Sequence, residues 1–195
     1  MYLHNKLSEN KELFCGLLRS INRPNTEKLL LELERLGFFM APASCHEHLP
    51  FEGGLLIHSL NTYCVMRYLS RIMKEYADIP HDSIVVCSLL HDVCKADRYS
   101  LLCDGTYQRD FDSSLPIGHS EKSLAIIMGA GFPLSESEIA AIRWHMAPYR
   151  LNKQNEDEMY SYECAIWKYP LVTLISCSDT LCAKVIEVAA QWLDV

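Results

Sequence analysis

Ile84-Val-Val-Cys-Ser-Leu-Leu-His91-Asp92-Val-Cys-Lys95 sets an ionisable dipeptide at the end of an almost wholly apolar run. The apolar residues belong in a core, where an ionised aspartate is costly unless something compensates its charge. A neutral imidazole beside a carboxylate is a good ligand pair for a divalent metal, and a bound cation would supply that compensation. The same dipeptide occurs at His81-Asp82, between Pro80 and Ser83. There Asp82 reads as a helix N-cap with His81 outside the helix. One copy is a helix start; the other is a candidate metal site.

Helical periodicity dominates on both sides of this stretch. A first helix is expected over 8–20, and Asn25 or Thr26 is placed to cap a second over 27–36, ended by Gly37. A loop over 38–54 carries Pro42, Pro50 and Gly53-Gly54, and a helical stripe follows over 55–76. The dipeptide helix is read as 82–95. Ser135-Glu-Ser-Glu138 is a capping box opening a helix that Pro148 should stop, and Pro170 suits the first turn of a last helix reaching about Leu193. The exception is 99–110, where Asp104-Gly105 between β-prone flanks predicts a hairpin, followed by a loop over 111–118. The expected fold class is all-α, a helical bundle with a short β-hairpin insert. An irregular insert between two ligand-bearing helices either shapes a substrate site or merely connects them.

Composition narrows the rest. A chain of 195 residues reads as one domain, with 49% hydrophobic and 22% charged residues typical of an ordinary globular protein. The apolar stretches at 84–90 and 171–177 are too short to span a bilayer, and the N-terminus has no apolar signal core. The nine cysteines are scattered with no CxxC pair, and Cys64, Cys87 and Cys177 fall among apolar residues of expected helices. Buried free thiols in a reducing cytoplasm explain them better than disulfides or structural zinc. A net charge of −7 argues against non-specific binding of long nucleic acid, while leaving room for a nucleotide held at a metal, and no membrane partner is expected.

A first-row metal needs ligands converging from several elements. His58 lies one turn into the helix after the glycine pair, Asp179 lies in the apolar run Leu174-Ile-Ser-Cys-Ser-Asp179-Thr-Leu, His119 follows Gly118, and His145 closes Ile142-Arg-Trp-His145. Singly, each has a bland explanation as a hydrogen-bonded core or boundary residue, and Asp179 could pair with Lys184. Their joint order is more specific. The segments Glu52-Gly-Gly-Leu-Leu-Ile-His58-Ser-Leu60, Leu90-His-Asp-Val-Cys-Lys95, Gly118-His119-Ser-Glu-Lys122, Arg143-Trp-His145-Met146 and Ser178-Asp179 together resemble the HD superfamily of metal-dependent phosphohydrolases. The hairpin insert and Lys168-Tyr-Pro-Leu171 are similar to the small stand-alone members from bacterial and phage genomes.

The resemblance implies a single HD domain over 1–195, with N-terminal helices and loop at 1–50 and a metal-binding core at 51–185. It implies that His58, His91, Asp92 and Asp179 hold one divalent ion, and that His119 and His145 add a second bridged by Asp92. The metals open to such a site are Mn, Fe, Ni, Co, Mg or Zn. Lys95, three residues past Asp92 and four past His91, would share their helix face and contact a phosphate oxygen, or else simply favour the helix dipole. The expected activity is phosphohydrolase or phosphodiesterase, attack of metal-activated water on a nucleotide or related small phosphate ester, with Asp92 and Lys95 as its catalytic pair. The alternatives are a di-iron oxygenase on the same ligands, or a non-catalytic nucleotide-binding regulatory module.

Weaker candidates surround these. Cys45-His46-Glu47-His48 reads as a polar loop rather than a ligand cluster, with His48 facing substrate as in the related proteins. Arg143 is site-adjacent or a surface arginine. Arg109, like Tyr107 and Arg150, could reach a phosphate or base, and Trp144 and Tyr149 could stack a base or pack in the core. Asp97 and Glu121 read as solvated charges.

Overall fold

The computed structural model describes residues 6–110 and 115–188, so positions 111–114 of the loop expected over 111–118 and the helix end near Leu193 lie outside the described residues. The helices are α1 (Leu7–Ser20), α2 (Thr26–Arg35), α3 (Gly54–Ile72), α4 (His81–Leu90), α5 (His119–Gly129), α6 (Glu136–Trp144), α7 (Ala147–Arg150), α8 (Glu156–Lys168) and α9 (Pro170–Leu181). Between α4 and α5, β1 (Tyr99–Leu101) and β2 (Tyr107–Arg109) form an antiparallel hairpin in which Tyr99 pairs with Arg109 and Leu101 with Tyr107. The fold is all-α with this short hairpin as its β-structure among the described residues.

Helix α4 is the centre of the bundle. Ser83 through Leu90 are all buried, which is why its sequence shows no polar face, and α3, α6 and α9 pack around it. One hydrophobic cluster joins Phe14 of α1 and Leu29 of α2 to Leu56, Leu89 and Ile175. The dipeptide helix does not run unbroken to Lys95. Its last α-helical residue is Leu90; Asp92 has φ −110° and ψ 15°, and a tight 3-10 turn covers Val93–Lys95. Helix α4 also begins one residue earlier than expected. His81 is its first residue, Pro80 holds the N-cap position, and Asp82 lies in the first turn without capping.

The glycine pair before α3 has a steric cause. Gly53 sits at φ +78°, and a Cβ on Gly54 would run into the Leu49 carbonyl and the Ala43 nitrogen. The loop over 38–53 can therefore close against the start of α3, fixing the level at which His58 enters the core. Asn25 precedes α2 in the left-handed region, with its amide donating to the Gly131 carbonyl (2.7 Å) instead of capping.

The Ser135 capping box forms with both of its hydrogen bonds, and its Glu138 does more than cap. Glu138 is fully buried, takes two bonds from Arg23 (2.6 and 2.7 Å) and one from Ser83 (2.7 Å), and so ties the α1–α2 connection and α4 to α6. Pro148 does not stop α6. That helix ends at Trp144, and Pro148 lies in the first turn of the short α7, where a missing N–H costs nothing. The cysteine expectation holds for Cys87, whereas Cys64 is half-buried and Cys177 exposed.

Candidate metal centre

Six side chains from five parts of the chain meet inside the bundle. His58 comes from α3, His91 and Asp92 from the end of α4, His119 from the first residue of α5, His145 from the residue ending α6, and Asp179 from α9. All six are buried, His58, His91 and His145 completely. His58 Nε2 lies 3.1 Å from Asp179 Oδ1 and 3.3 Å from His91 Nε2, and both rings face Asp92 Oδ2 at 3.7 and 3.5 Å. On the other carboxylate oxygen, His119 Nε2 stands 2.7 Å and His145 Nε2 3.6 Å from Asp92 Oδ1. Asp92 thus faces two groups of nitrogens, one on each oxygen.

This donor set fits divalent cations. Ligand atoms about 2.0–2.2 Å from an ion stand about 3–3.5 Å from one another, the spacing seen at three of these six contacts, with the other three at 2.7, 3.6 and 3.7 Å. His145 Nε2 is fully buried and makes no hydrogen bond, which a lone pair aimed at a cation would explain. The groups His58–His91–Asp92, His91–His145–Asp179 and Asp92–His119–His145 could each hold an ion. Three imidazoles also have the tautomer metal binding requires. His91 Nδ1 faces the Ser88 carbonyl (3.0 Å), His145 Nδ1 the Ile142 carbonyl (2.7 Å), and His58 Nδ1 the Glu187 carboxylate (3.0 Å). In the neutral ring each Nδ1 therefore carries the proton and leaves Nε2 free, and at His58 a cation would displace the second proton that the neighbouring carboxylates favour.

Charge is concentrated here. Burial disfavours charge on His58, yet the adjacent Glu187 and Asp179 carboxylates outweigh it and push its pKa up to about 10. Burial holds His91 and His119 down to about 4. Asp92 and Asp179 stay well below the usual carboxylate range despite burial, Asp92 through Lys95 and its histidines and Asp179 through His58 and His91. Lys95 Nζ sits 2.7 Å from Asp92 Oδ2 even though the helix breaks between them, because a 3-10 turn brings residues three apart into line. Burial works against its charge, but Asp92 and Asp179 more than restore it, raising its pKa.

Beside the cluster lies a pocket of about 560 Å³ whose lining includes Lys95, Arg98, Arg109, Arg150 and Lys184 together with His48, His119 and Asp179. A cationic cleft in a chain of net charge −7 is a local feature of the site. The hairpin contributes Tyr99, Gln108 and Arg109 to the lining, so the insert shapes this pocket. Arg143 lies elsewhere, paired with Glu121 (3.0 Å) and Glu158 (3.5 Å) above the Trp144 ring, in a smaller adjoining cleft that shares His119 and Arg150 with the main pocket. Glu121 is therefore ion-paired, as is Asp97, which accepts from Lys122 (2.5 Å). Trp144 is core; Tyr149 is exposed at the pocket rim and donates to Thr180 (3.2 Å). Lys184 pairs with Glu47 (2.5 Å) rather than Asp179.

Glu187 went unseen in the sequence. Its buried carboxylate accepts from His48 Nδ1 (2.5 Å), His58 Nδ1 and Asn61 Nδ2 (3.1 Å). His48 is thus tied to the centre through Glu187 while also lining the pocket. A π-helical turn over Cys182–Ile186 separates Asp179 from Glu187, the two carboxylates that grip opposite nitrogens of His58. The available signal was an acidic residue eight positions after Asp179 in an apolar helix. Arg98, 2.9 Å from His119 Nδ1, was missed as well.

No family model and no solved structure matches this chain. It is similar to the dihydroneopterin 2',3'-cyclic phosphate phosphodiesterase of Methanocaldococcus jannaschii, 27% identical over 122 residues. The match takes in 62% of this chain and 47% of the relative, so the chain spans about half the length of the protein it matches. The chain is a distant relative of that phosphodiesterase. Among the described residues, no single helix is long and apolar enough to cross a membrane.

Proposed function

We propose that this protein is a metal-dependent phosphodiesterase of the HD type, hydrolysing a small phosphate ester that carries a nucleotide-like group. In this reading His58, His91, Asp92 and Asp179 hold one divalent ion, and His119 and His145 hold a second that shares Asp92. The observation that carries it is the buried Asp92 carboxylate with imidazole nitrogens grouped on each oxygen, opening onto a cationic pocket. The cyclic phosphate acted on by the distant relative supports a diester as substrate.

Divalent ions there would supply a polarised phosphoryl oxygen and a water acidic enough to attack phosphorus at neutral pH. The chain's own residues do the rest. Asp92 sets the spacing of the two positions, and Glu187, Ser88 and Ile142 orient the imidazoles. Lys95, which lines the pocket with Nζ on Asp92, offsets charge that builds on the phosphoryl oxygens. Arg109 and Arg150 sit where they can take further anionic oxygens, and His48 presents its Nε2 edge with Nδ1 fixed by Glu187. The same reading takes 1–50 and 51–185 as one unit, supported by the hydrophobic cluster that joins them.

The test is a panel of 2',3'-cyclic and acyclic phosphate diesters and monoesters, assayed without oxygen in the presence of manganese, cobalt, nickel or magnesium. Hydrolysis of at least one diester, abolished in Asp92→Ala, is expected. Turnover that needs iron and oxygen would replace this reading with an oxygenase. Tight nucleotide binding with no turnover under any metal would replace it with a regulatory module.

A further inference from the structure

Three of the four imidazoles around Asp92 present a carbonyl or carboxylate acceptor to Nδ1; His119 does not. Its Nδ1 faces Arg98 Nη1 at 2.9 Å, with Cys94 Sγ at 3.2 Å on the same nitrogen. A guanidinium only donates, so the His119 nitrogen it meets must be an unprotonated acceptor. In a neutral ring the proton then resides on Nε2, which faces Asp92 Oδ1 at 2.7 Å. That nitrogen is the one the second ion would need. As positioned, His119 is in the tautomer that cannot ligate, while His145 Nε2 beside it is buried, unprotonated and without a hydrogen bond.

Arg98 also reaches the pocket. It lines the same cavity as Lys95, Arg109 and Arg150, and its backbone closes the hairpin base through the bond from the Asp110 nitrogen (2.8 Å). A phosphate oxygen pair is a far better partner for guanidinium than one neutral imidazole nitrogen. Its arrival would draw Arg98 from His119, and the ring, still neutral, could move its proton to Nδ1 with Nε2 left free. We propose that Arg98 gates the second ion position, holding His119 in the non-ligating tautomer until an anionic substrate draws the guanidinium away. This rests on the metal reading above and adds to it an order of events, one ion resident and the second recruited with substrate. Arg98 acts through His119 and is a positioning residue.

The test is equilibrium dialysis of chelator-stripped protein against Mn²⁺, with and without inorganic phosphate, for the wild type, Arg98→Gln and Arg98→Lys. Glutamine offers His119 Nδ1 a carbonyl acceptor, whereas lysine keeps a donor there. Without phosphate, the wild type and Arg98→Lys should bind one ion tightly and the second weakly. Arg98→Gln should bind the second about tenfold or more tightly than the wild type, the scale of orienting effects on metal ligands. Phosphate should strengthen the second ion more in the wild type than in Arg98→Gln. A second-ion affinity unchanged in Arg98→Gln, or two equally tight ions in the wild type without phosphate, would overturn the gate alone. No bound Mn²⁺ in any of the proteins would remove the metal reading and the gate with it.

Discussion

Replacing Glu187 with glutamine preserves shape but changes what three neighbours meet. The carboxylate accepts from His48 Nδ1 at 2.5 Å, from Asn61 Nδ2 at 3.1 Å, and from His58 Nδ1 at 3.0 and 3.1 Å, all in a buried setting. Glutamine has one acceptor oxygen, and its amide group turns two donors toward donors already there. At least one N–H loses its partner, a cost of about 1–3 kcal/mol for a buried group. His58 is left to compete with His48 and Asn61 for the one remaining acceptor oxygen, so the contact that fixes its tautomer is weakened, and losing such a partner typically weakens metal binding about 10- to 100-fold. Competition between the stripped protein and a chromogenic chelator for Mn²⁺ measures the affinity, and thermal melting measures the stability. The expected result is weaker Mn²⁺ binding on that scale together with a lower melting temperature. Glu32→Gln, which removes a surface pair with Arg35 (2.6 Å), should leave metal affinity unchanged and shift stability by less than about 1 kcal/mol. A Glu187→Gln protein that binds Mn²⁺ within about twofold of the wild type, when the tautomer effect should reach tenfold, would refute this chain of reasoning.

Three further outcomes are expected. Glu138 is held below its ordinary pKa of 4.5, with burial opposed by Arg23, Ser135 and Ser83. Its folded pKa is the lower one, so its contribution is fully present above about 4.5 and is lost as pH falls through the folded value. Glu138→Gln should flatten this acid limb in urea melts between pH 3 and 7. It should also destabilise near the lower end of about 3–5 kcal/mol, because the Arg23 side chain remains 18% exposed. Gly54→Ala drives a Cβ into the Leu49 carbonyl and should cost about 1–3 kcal/mol in chemical denaturation, weakening Mn²⁺ binding through the displaced start of α3. Lys95→Ala should leave metal content near normal by elemental analysis while lowering diester turnover about a hundred- to a thousand-fold.

Much of this was legible because polar residues in apolar runs announce themselves. His58, His91, Asp92 and Asp179 stand out against Leu, Ile and Val, and their spacing on separate helices allowed them to meet. The hairpin was visible in Asp104-Gly105, and the brace around Glu138 was half visible as a capping box. What stayed hidden depends on contacts between distant segments. Arg23 and Glu138 are 115 positions apart, and nothing local marks Arg98 as a neighbour of His119. Glu187 was obscured for a different reason: the π-helical turn before it changes the phase of the helical stripe, so regular periodicity does not place it beside Asp179. The break at Asp92 was equally invisible, since an apolar run cannot show where a helix gives way to a tighter turn.

The most direct measurement is the rate of phosphate diester hydrolysis as Mn²⁺ is returned to chelator-stripped protein in the absence of oxygen, for the wild type and for Asp92→Ala. Six converging ligands on a shared carboxylate predict a stripped protein with negligible activity, recovery that follows Mn²⁺ occupancy, and no recovery in Asp92→Ala. Hydrolysis by the stripped protein at the same rate as the reloaded one, or full recovery in Asp92→Ala, would contradict a metal-dependent phosphodiesterase built on this cluster.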